Sequence, residues 1–375
     1  MTLLAGARIL TPEGFLDDAW ILTDGEVISE IGQGTPPAEP DVDLTGQIVL
    51  PGFIDQHCHG GGGASFVTED ADEARRAARF HLEHGTTSIM ASLVSGSNEA
   101  LKAQVSTLSP LVDDGTVIGV HLEGPWISQH FCGAHAQDQL RAPALNEVTE
   151  LLELGDGRIR MVTIAPELEG GIEAIEAVAD SGALAAVGHT DADYETGVAA
   201  VEAGARVITH LFNAMRPVLH RDPNAAGALL EDPRVFGELI CDGVHIHPTS
   251  IKLALRELGV DRSCMITDAM SATGVADGQY KLGELDVTVK DGVARLTEAG
   301  NIAGSTLTLD KALRFVVNNC DVSIEDASQM LSANPARVLG LTDRGTLEPG
   351  KRADLLVLQD ASLDVTRVMQ AGTWI

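Results

Sequence analysis

Two histidines one residue apart stand in the string Gly52-Phe-Ile-Asp-Gln-His57-Cys58-His59-Gly60. In an extended strand, residues i and i+2 share a face, so His57 and His59 can converge on one cation while Cys58 points away. Imidazole nitrogen suits zinc, iron, cobalt and related divalent ions. Alone, such a pair carries little weight. It gains weight from Glu123 in Val120-His-Leu-Glu123-Gly-Pro-Trp, His189 in Val187-Gly-His189-Thr, His210 in Ile208-Thr-His210-Leu-Phe-Asn-Ala-Met and Asp268 in Met265-Ile-Thr-Asp268-Ala. Each lies where a short apolar, β-branched run gives way to a loop. A cation held there would bring the pKa of water toward ~7. A carboxylate beside it, such as Asp268, would be placed to accept the remaining proton.

The runs that must position these residues are Ile48–Asp55, Thr86–Leu93, Val117–Leu122, Ile159–Ala165, Ala183–Gly188, Arg206–Thr209, Phe236–Cys241 and Ser263–Thr267. Between them lie helix-period segments at Glu69–His84, Asn98–Leu108, Leu145–Leu154, Gly171–Asp180, Tyr194–Ala203 and Pro248–Leu258. Such alternation implies parallel strands with crossover helices, and eight units predict a closed (β/α)8 TIM-like barrel of the α/β class. Barrel enzymes hold their active sites where strands run into loops, which is where the candidate ligands fall. Gly85, Gly182, Gly204 and Gly259 follow helices as left-handed C-caps would. Helices are also expected at Leu309–Asn319 and Glu325–Leu339, the second capped by Ser323 with Asp326, and a hairpin at residues 280–297 around Lys290-Asp-Gly-Val. Residues 1–47 and 343–375 read as short strands broken by Gly and Pro. They predict a small β-sandwich domain built from both termini, with residues 48–342 forming the catalytic barrel.

The length of 375 residues fits a barrel of about 250 residues plus an accessory domain. Acidic residues outnumber basic ones by 55 to 25, a formal charge of −30. That argues against nucleic acid or an anionic membrane as partner, because both require clustered Lys and Arg. No apolar run approaches the ~20 residues of a membrane span, and the N-terminus lacks the basic start and apolar stretch of a signal peptide. The five cysteines are odd in number and irregularly spaced. Together these features predict a cytoplasmic protein. Cys58, Cys241, Cys264 and Cys320 sit in apolar contexts and read as packed core, as does His121; Cys132 lies in a loop beside His135 and its role is open.

The ordered set resembles the amidohydrolase superfamily, and its local strings resemble the N-acetylglucosamine-6-phosphate deacetylases within it. The strings are His121-Leu-Glu123-Gly-Pro-Trp126, Gly188-His189-Thr, Thr209-His210-Leu-Phe-Asn213-Ala214-Met, Cys241-Asp242-Gly-Val-His245 and Thr267-Asp268-Ala269. Glu123 takes the place that a modified lysine holds in many relatives. The resemblance implies hydrolysis of the acetamide of N-acetyl-D-glucosamine 6-phosphate, and one or two divalent cations per subunit, with Zn2+ or Fe2+ first and Co2+, Mn2+ or Cd2+ as substitutes. Glu123, His189 and His210 would hold the principal ion. His57 and His59 would hold a second with Asp268 and a bridging Glu123, and one tight ion with a weakly filled second site is the alternative.

The same resemblance gives the catalytic pair as Asp268 and His135, the latter in the loop Gly133-Ala134-His135 and steadying the oxyanion. Substrate would meet Ala134, His135, Asn213, Ala214, Arg221, His245 and the turn Ile302-Ala303-Gly304, with backbone N–H groups of Asn213 and Ala214 toward the phosphate. Arg221 lies in a long loop that could reach the neighbouring subunit of a homodimer. Two other readings stay open: another amidohydrolase, such as a D-aminoacylase or a cyclic-amide hydrolase, and a non-catalytic scaffold on the same barrel. The first would need an α-carboxylate pocket or a bridging modified lysine. The second would have lost ligands that this chain keeps.

Overall fold

The computed structural model describes every residue, Met1–Ile375. It resolves into two compact units, one of Met1–Asp55, His81–Ser88 and Thr308–Ile375, the other of Gln56–Phe80 and Ile89–Leu307.

In the first unit the two ends of the chain build one eight-stranded sheet. Thr2–Thr11 pairs antiparallel with Gly14–Asp24, which pairs with Val27–Gln33. On its other side Thr2–Thr11 runs parallel to Gln47–Pro51, which pairs antiparallel with Leu355–Gln359. The sheet curls until Ile28 bonds to both Gly350 and Lys351, so its turned faces enclose a shared core of Leu4, Ile9, Ile21, Ile28, Val49, Leu355 and Val357. Leu309–Asn319, Ile324–Leu331 and Ala333–Val338 are the unit's helices. The last two replace the single helix expected at Glu325–Leu339. Pro335 has no N–H to give Leu331, and its ring would strike that carbonyl, so the helix breaks at Ser332. The Ser323 hydroxyl accepts from the Asp326 N–H at 3.0 Å, as the capping reading requires.

The barrel strands are β1 (Phe53–Cys58), β2 (Thr86–Leu93), β3 (Gly119–Glu123), β4 (Ile159–Ile164), β5 (Leu184–Val187), β6 (Ala205–Ile208), β7 (Phe236–Ile240) and β8 (Ser263–Ile266). They form one eight-stranded sheet in sequence order. The run expected as a single strand at Ile48–Asp55 is two strands divided at Gly52: Gln47–Pro51 belongs to the terminal sheet and β1 starts at Phe53. A Cβ on Gly52 would stand 2.1 Å from Thr87 Oγ1, so only glycine allows this close crossing. A parallel bridge between Cys58 and Ala269, with the Asp268 N–H donating to His57 O at 2.9 Å, joins β1 to the residues after β8 and closes the ring.

Crossover helices follow the strands, among them Asn98–Asp113, Leu145–Gly155, Gly171–Asp180, Tyr194–Glu202 and Pro248–Leu258. An additional helix, Asn224–Glu231, begins where the loop expected at 216–224 ends. Where a hairpin was expected at 280–297 there are three antiparallel strands, Gly278–Leu282, Leu285–Lys290 and Val293–Leu296. Their apolar face, Leu282, Val287, Val289 and Ala294, packs with Val94, Met270 and Ala303. No helix is long and apolar enough to cross a membrane.

Candidate active site

The barrel rim repeats one device. His189, His210 and Asp268 each stand two residues beyond the last residue of β5, β6 and β8, with left-handed backbone φ of 48°, 29° and 48°. For residues other than glycine this conformation costs of order 1–3 kcal/mol unless the surroundings over-determine it. Here they do. The His189 carbonyl accepts from the Ser128 N–H at 2.8 Å, and the Asp268 carbonyl from the Ser305 N–H at 2.7 Å. After His210, the Leu211 N–H donates to Glu238 O at 2.9 Å. The turn swings each side chain in over the barrel mouth.

Glu123, the last residue of β3, is the centre of the group. Its Oε1 lies 3.1 Å from His189 Nε2 and 3.0 Å from His210 Nε2, and its Oε2 lies 3.0 Å from His59 Nε2. His57 Nε2 also lies 3.5 Å from Oε1, so of these four histidines three face Oε1 and His59 faces Oε2. Asp268 Oδ1 is 3.3 Å from His59 Nε2 and 3.7 Å from His57 Nε2. All of these side chains are buried or nearly so.

The ring nitrogens facing outward fix what the inward ones can do. The Nδ1–H of His57 donates to Glu238 Oε2 at 3.1 Å, that of His59 to Ser92 O at 3.1 Å and that of His189 to Phe131 O at 2.8 Å. None of those partners has a proton to give, so the neutral rings carry lone pairs on Nε2. These lone pairs face each other and a carboxylate at 3.0–3.3 Å, an arrangement that is repulsive unless positive charge fills it. The donor set therefore fits divalent cations, and the outward hydrogen bonds are those that usually orient metal-ligating histidines. Without a cation, protons take part of that role. Burial pulls His59 down, but hydrogen bonds and charge from Asp268 and Glu123 override it and raise the ring to about 9. His57 is also raised, burial being outweighed by Glu123 and Glu238. His189 goes the other way: burial dominates the Glu123 hydrogen bond and lowers it to about 4.

His135 differs in tautomer. Its Nδ1 accepts from the Ser95 backbone N–H at 3.2 Å, with the Ser95 hydroxyl at 2.8 Å, so the proton of the neutral ring sits on Nε2. That Nε2–H points toward Glu123 Oε2 at 3.4 Å, over the site. A protonated nitrogen is a donor, not a ligand. The geometry suits a group that hydrogen-bonds a developing oxyanion.

A cavity of about 380 Å³ opens above the group. His59, Glu123, His135, His189, His210 and Asp268 form one wall, and Ala134, Asn213, Ala214, His245, Ile302 and Gly304 line the rest with Val94, Phe131, Leu282 and Asn301. His57 lies beneath it, fully buried. Two expected residues do not reach it within the chain. Ala303 is fully buried among Met270, Val287 and Ala294, and Arg221 sits on the exposed turn Leu219–Asp222. The backbone N–H of Asn213, expected to meet an anion, is spent on His210 O at 2.9 Å, because the turn after the ligand closes on itself. His245 donates from Nδ1 to Asp242 Oδ2 at 2.7 Å, leaving Nε2 for the cavity. His121 is a satisfied interior residue, paired with Ser92 Oγ at 3.0 Å and Thr163 Oγ1 at 2.8 Å.

Sequence reasoning missed Glu238, Ser95 and the loop residues His130 and Phe131. Glu238 carried a signal: it is the one charged residue in the apolar strand Phe236-Gly-Glu-Leu-Ile240, and a fully buried carboxylate requires partners. Ser95 carried none.

Residues 48–375 match the model of the amidohydrolase family. The chain is 36% identical over 369 residues to an N-acetylglucosamine-6-phosphate deacetylase of Vibrio furnissii, covering 96% of this chain and 92% of the relative. It is 34% identical to an N-acetylgalactosamine-6-phosphate deacetylase of Escherichia coli O157:H7, over 98% of both chains. Among solved structures, a mutant N-acetyl-D-glucosamine-6-phosphate deacetylase from Mycobacterium smegmatis, in complex with N-acetyl-D-glucosamine-6-phosphate, superposes with a TM-score of 0.97 at 45% identity, covering 100% of this chain and 98% of that one. A rim of histidines gathered around one strand-end glutamate, on a barrel matched along its whole length, leaves one assignment: the chain belongs to the amidohydrolase family, whose members are metal-dependent hydrolases.

Proposed function

We propose that this enzyme hydrolyses the acetamide of N-acetyl-D-glucosamine 6-phosphate to D-glucosamine 6-phosphate and acetate, in the breakdown and recycling of amino sugars in the cytoplasm. The observation that carries the reading is the pairing, in one cavity, of the Glu123-centred donor set with a histidine of opposite tautomer, His135, aimed across it. Relatives of that name over nearly the whole chain support it.

Glu123, His189 and His210 are the residues we assign to the principal cation, and His57, His59 and Asp268, with Glu123 between them, to a second. Zinc or ferrous iron suits this nitrogen-rich set best, with cobalt, manganese and cadmium as substitutes. A bound cation supplies a lowered pKa for water and polarisation of the acetamide oxygen. Asp268 accepts the proton of the attacking water and hands it to the amide nitrogen as the C–N bond breaks. His135 donates its Nε2–H to the carbonyl oxygen as that oxygen becomes anionic, and Ser95 holds the ring in the required tautomer. The remaining walls exclude water and place the sugar. Because the chain carries a formal charge of −30, an anionic substrate needs local donors. From within the chain, the Ala214 backbone N–H supplies one, and His245 Nε2 supplies another when its ring is protonated and Asp242 holds the Nδ1–H, whereas both amide hydrogens of Asn213 are spent on His210 O and Leu211 O. Arg221, exposed on its turn, is assigned to the phosphate in the neighbouring subunit of a homodimer.

The test is acetate release from phosphorylated and unphosphorylated N-acetylglucosamine. Asp268→Asn is expected to lower turnover about 10²–10⁴-fold in metal-replete protein, the range that general acid–base groups contribute. Near-normal turnover of that variant overturns the assignment.

A further inference from the structure

Glu238 neither lines the cavity nor is assigned as a ligand, yet it holds two of the assigned ligands, His57 and His210. It lies in β7, fully buried. Its Oε1 accepts from Gln56 Nε2 at 2.9 Å, and its Oε2 accepts from His57 Nδ1 at 3.1 Å and from the backbone N–H of His210 at 3.2 Å. All three partners are donors, so the group works as an acceptor-only carboxylate. Its own backbone carbonyl accepts from the Leu211 N–H, so Glu238 grips the left-handed turn at His210 from two points.

We infer that Glu238 is a positioning residue that sets the affinity of the cation on the His57–His59 side. This rests on the metal-dependent reading given above. Two effects add. The hydrogen bond forces the His57 proton onto Nδ1, so that Nε2 presents a lone pair to the site. The carboxylate also supplies a third buried negative charge beside Glu123 and Asp268. Two divalent cations bring four positive charges into a buried centre that otherwise holds two carboxylates. Without Glu238 the second ion enters a site with too little opposing charge. The principal ion, held by Glu123, His189 and His210, is served by Glu238 only through the turn.

Glu238→Gln separates charge from shape. Gln56 Oε1 is buried without a hydrogen-bond partner, so a flip of the Gln56 amide can accept from the new NH2 group while the remaining oxygen still faces His57 and His210. Wild-type and E238Q proteins, stripped of metal and checked by circular dichroism, are titrated with Zn2+ against a chromophoric chelator and with Co2+ by visible absorption. The expected result is two equivalents for the wild type. In E238Q the first equivalent should stay within about threefold of wild type and the second weaken about 10–100-fold, the range that outer partners of metal ligands command. Glu238→Asp, which restores the charge, should recover most of the loss.

Equal second-site affinity in E238Q, or a wild type that takes up one equivalent only, overturns the inference and leaves the hydrolase reading intact. A folded wild type that binds no divalent cation overturns the reading beneath it. If E238Q does not fold, 15N resonances of the Zn2+-loaded wild type decide. A His57 ring protonated at Nδ1 with Nε2 metal-bound supports the inference, and the reverse refutes it.

Discussion

Replacing His135 by alanine tests the claim that one histidine in the cavity is a donor and not a ligand. The side chain is 4% exposed, and its Nδ1 is occupied by two groups of Ser95, so the Nε2–H is aimed before substrate arrives and needs no reorganisation. Losing one such preorganised donor costs about 10²–10³-fold in turnover, or about 2.7–4 kcal/mol at the barrier. Ser95→Ala removes only the hydroxyl at 2.8 Å and leaves the backbone N–H that fixes the tautomer. A single net hydrogen bond is worth about 1 kcal/mol, so that variant should lose only about fivefold. The assay is steady-state acetate release with metal content measured on the same samples. His135→Ala should lose turnover much more than it gains in KM, while its metal content stays at the wild-type value. Turnover within threefold of wild type refutes the oxyanion role. Loss of a metal equivalent refutes the tautomer argument itself, because it would make His135 a ligand.

Metal uptake should release protons. In the cation-free protein His59, raised to about 9, carries a proton below that pH, and a ring must lose it before Nε2 can bind. Affinity on that side should therefore rise with pH up to about 9, with proton release seen by calorimetry in buffers of different ionisation enthalpy; uptake without proton release would contradict the hydrogen-bond scheme. Gly133→Ala would place a Cβ 2.9 Å from His189 Cε1 at a φ of 57°, so it should cost about 1 kcal/mol in thermal denaturation and lower turnover more than tenfold. Turnover unchanged at lower stability would show that the His189 ring tolerates the push. Arg221→Ala should raise KM for the phosphorylated sugar and leave unphosphorylated N-acetylglucosamine unaffected. An equal effect on both would remove Arg221 from phosphate recognition.

The barrel and its rim were legible because they follow from local patterns. Six of the eight apolar runs end at His, Glu or Asp, or just before one, and the helices between them had ordinary caps, such as Ser97 on Ala100 and Asp193 on Thr196. What escaped depended on atoms distant in sequence. The split of Ile48–Asp55 arises at Gly52, where Thr87 leaves no room for a side chain. The helix Asn224–Glu231 was hidden because its residues from Asn224 to Leu230 are buried on nearly every side, which erases the helical period. Left-handed turns at His189, His210 and Asp268 are signalled only weakly, because His and Asp are enriched at positive φ yet adopt it at few positions. Tautomers cannot be read from letters at all: His57, His59 and His189 differ from His135 only in what stands behind the ring.

The Cys58–Ala269 bridge gives the site a second meaning. The strand that carries His57 and the turn that carries Asp268 meet at the seam where the cylinder would otherwise lie open, and the N–H groups of His59 and Asp268 are themselves stitches in it. Ions held by those residues would clamp the seam from above, as a rivet holds two plates. Opening of the barrel at this seam would then loosen the second ion, so the lifetime of the closed cylinder and the residence time of that ion would be tied to the same opening.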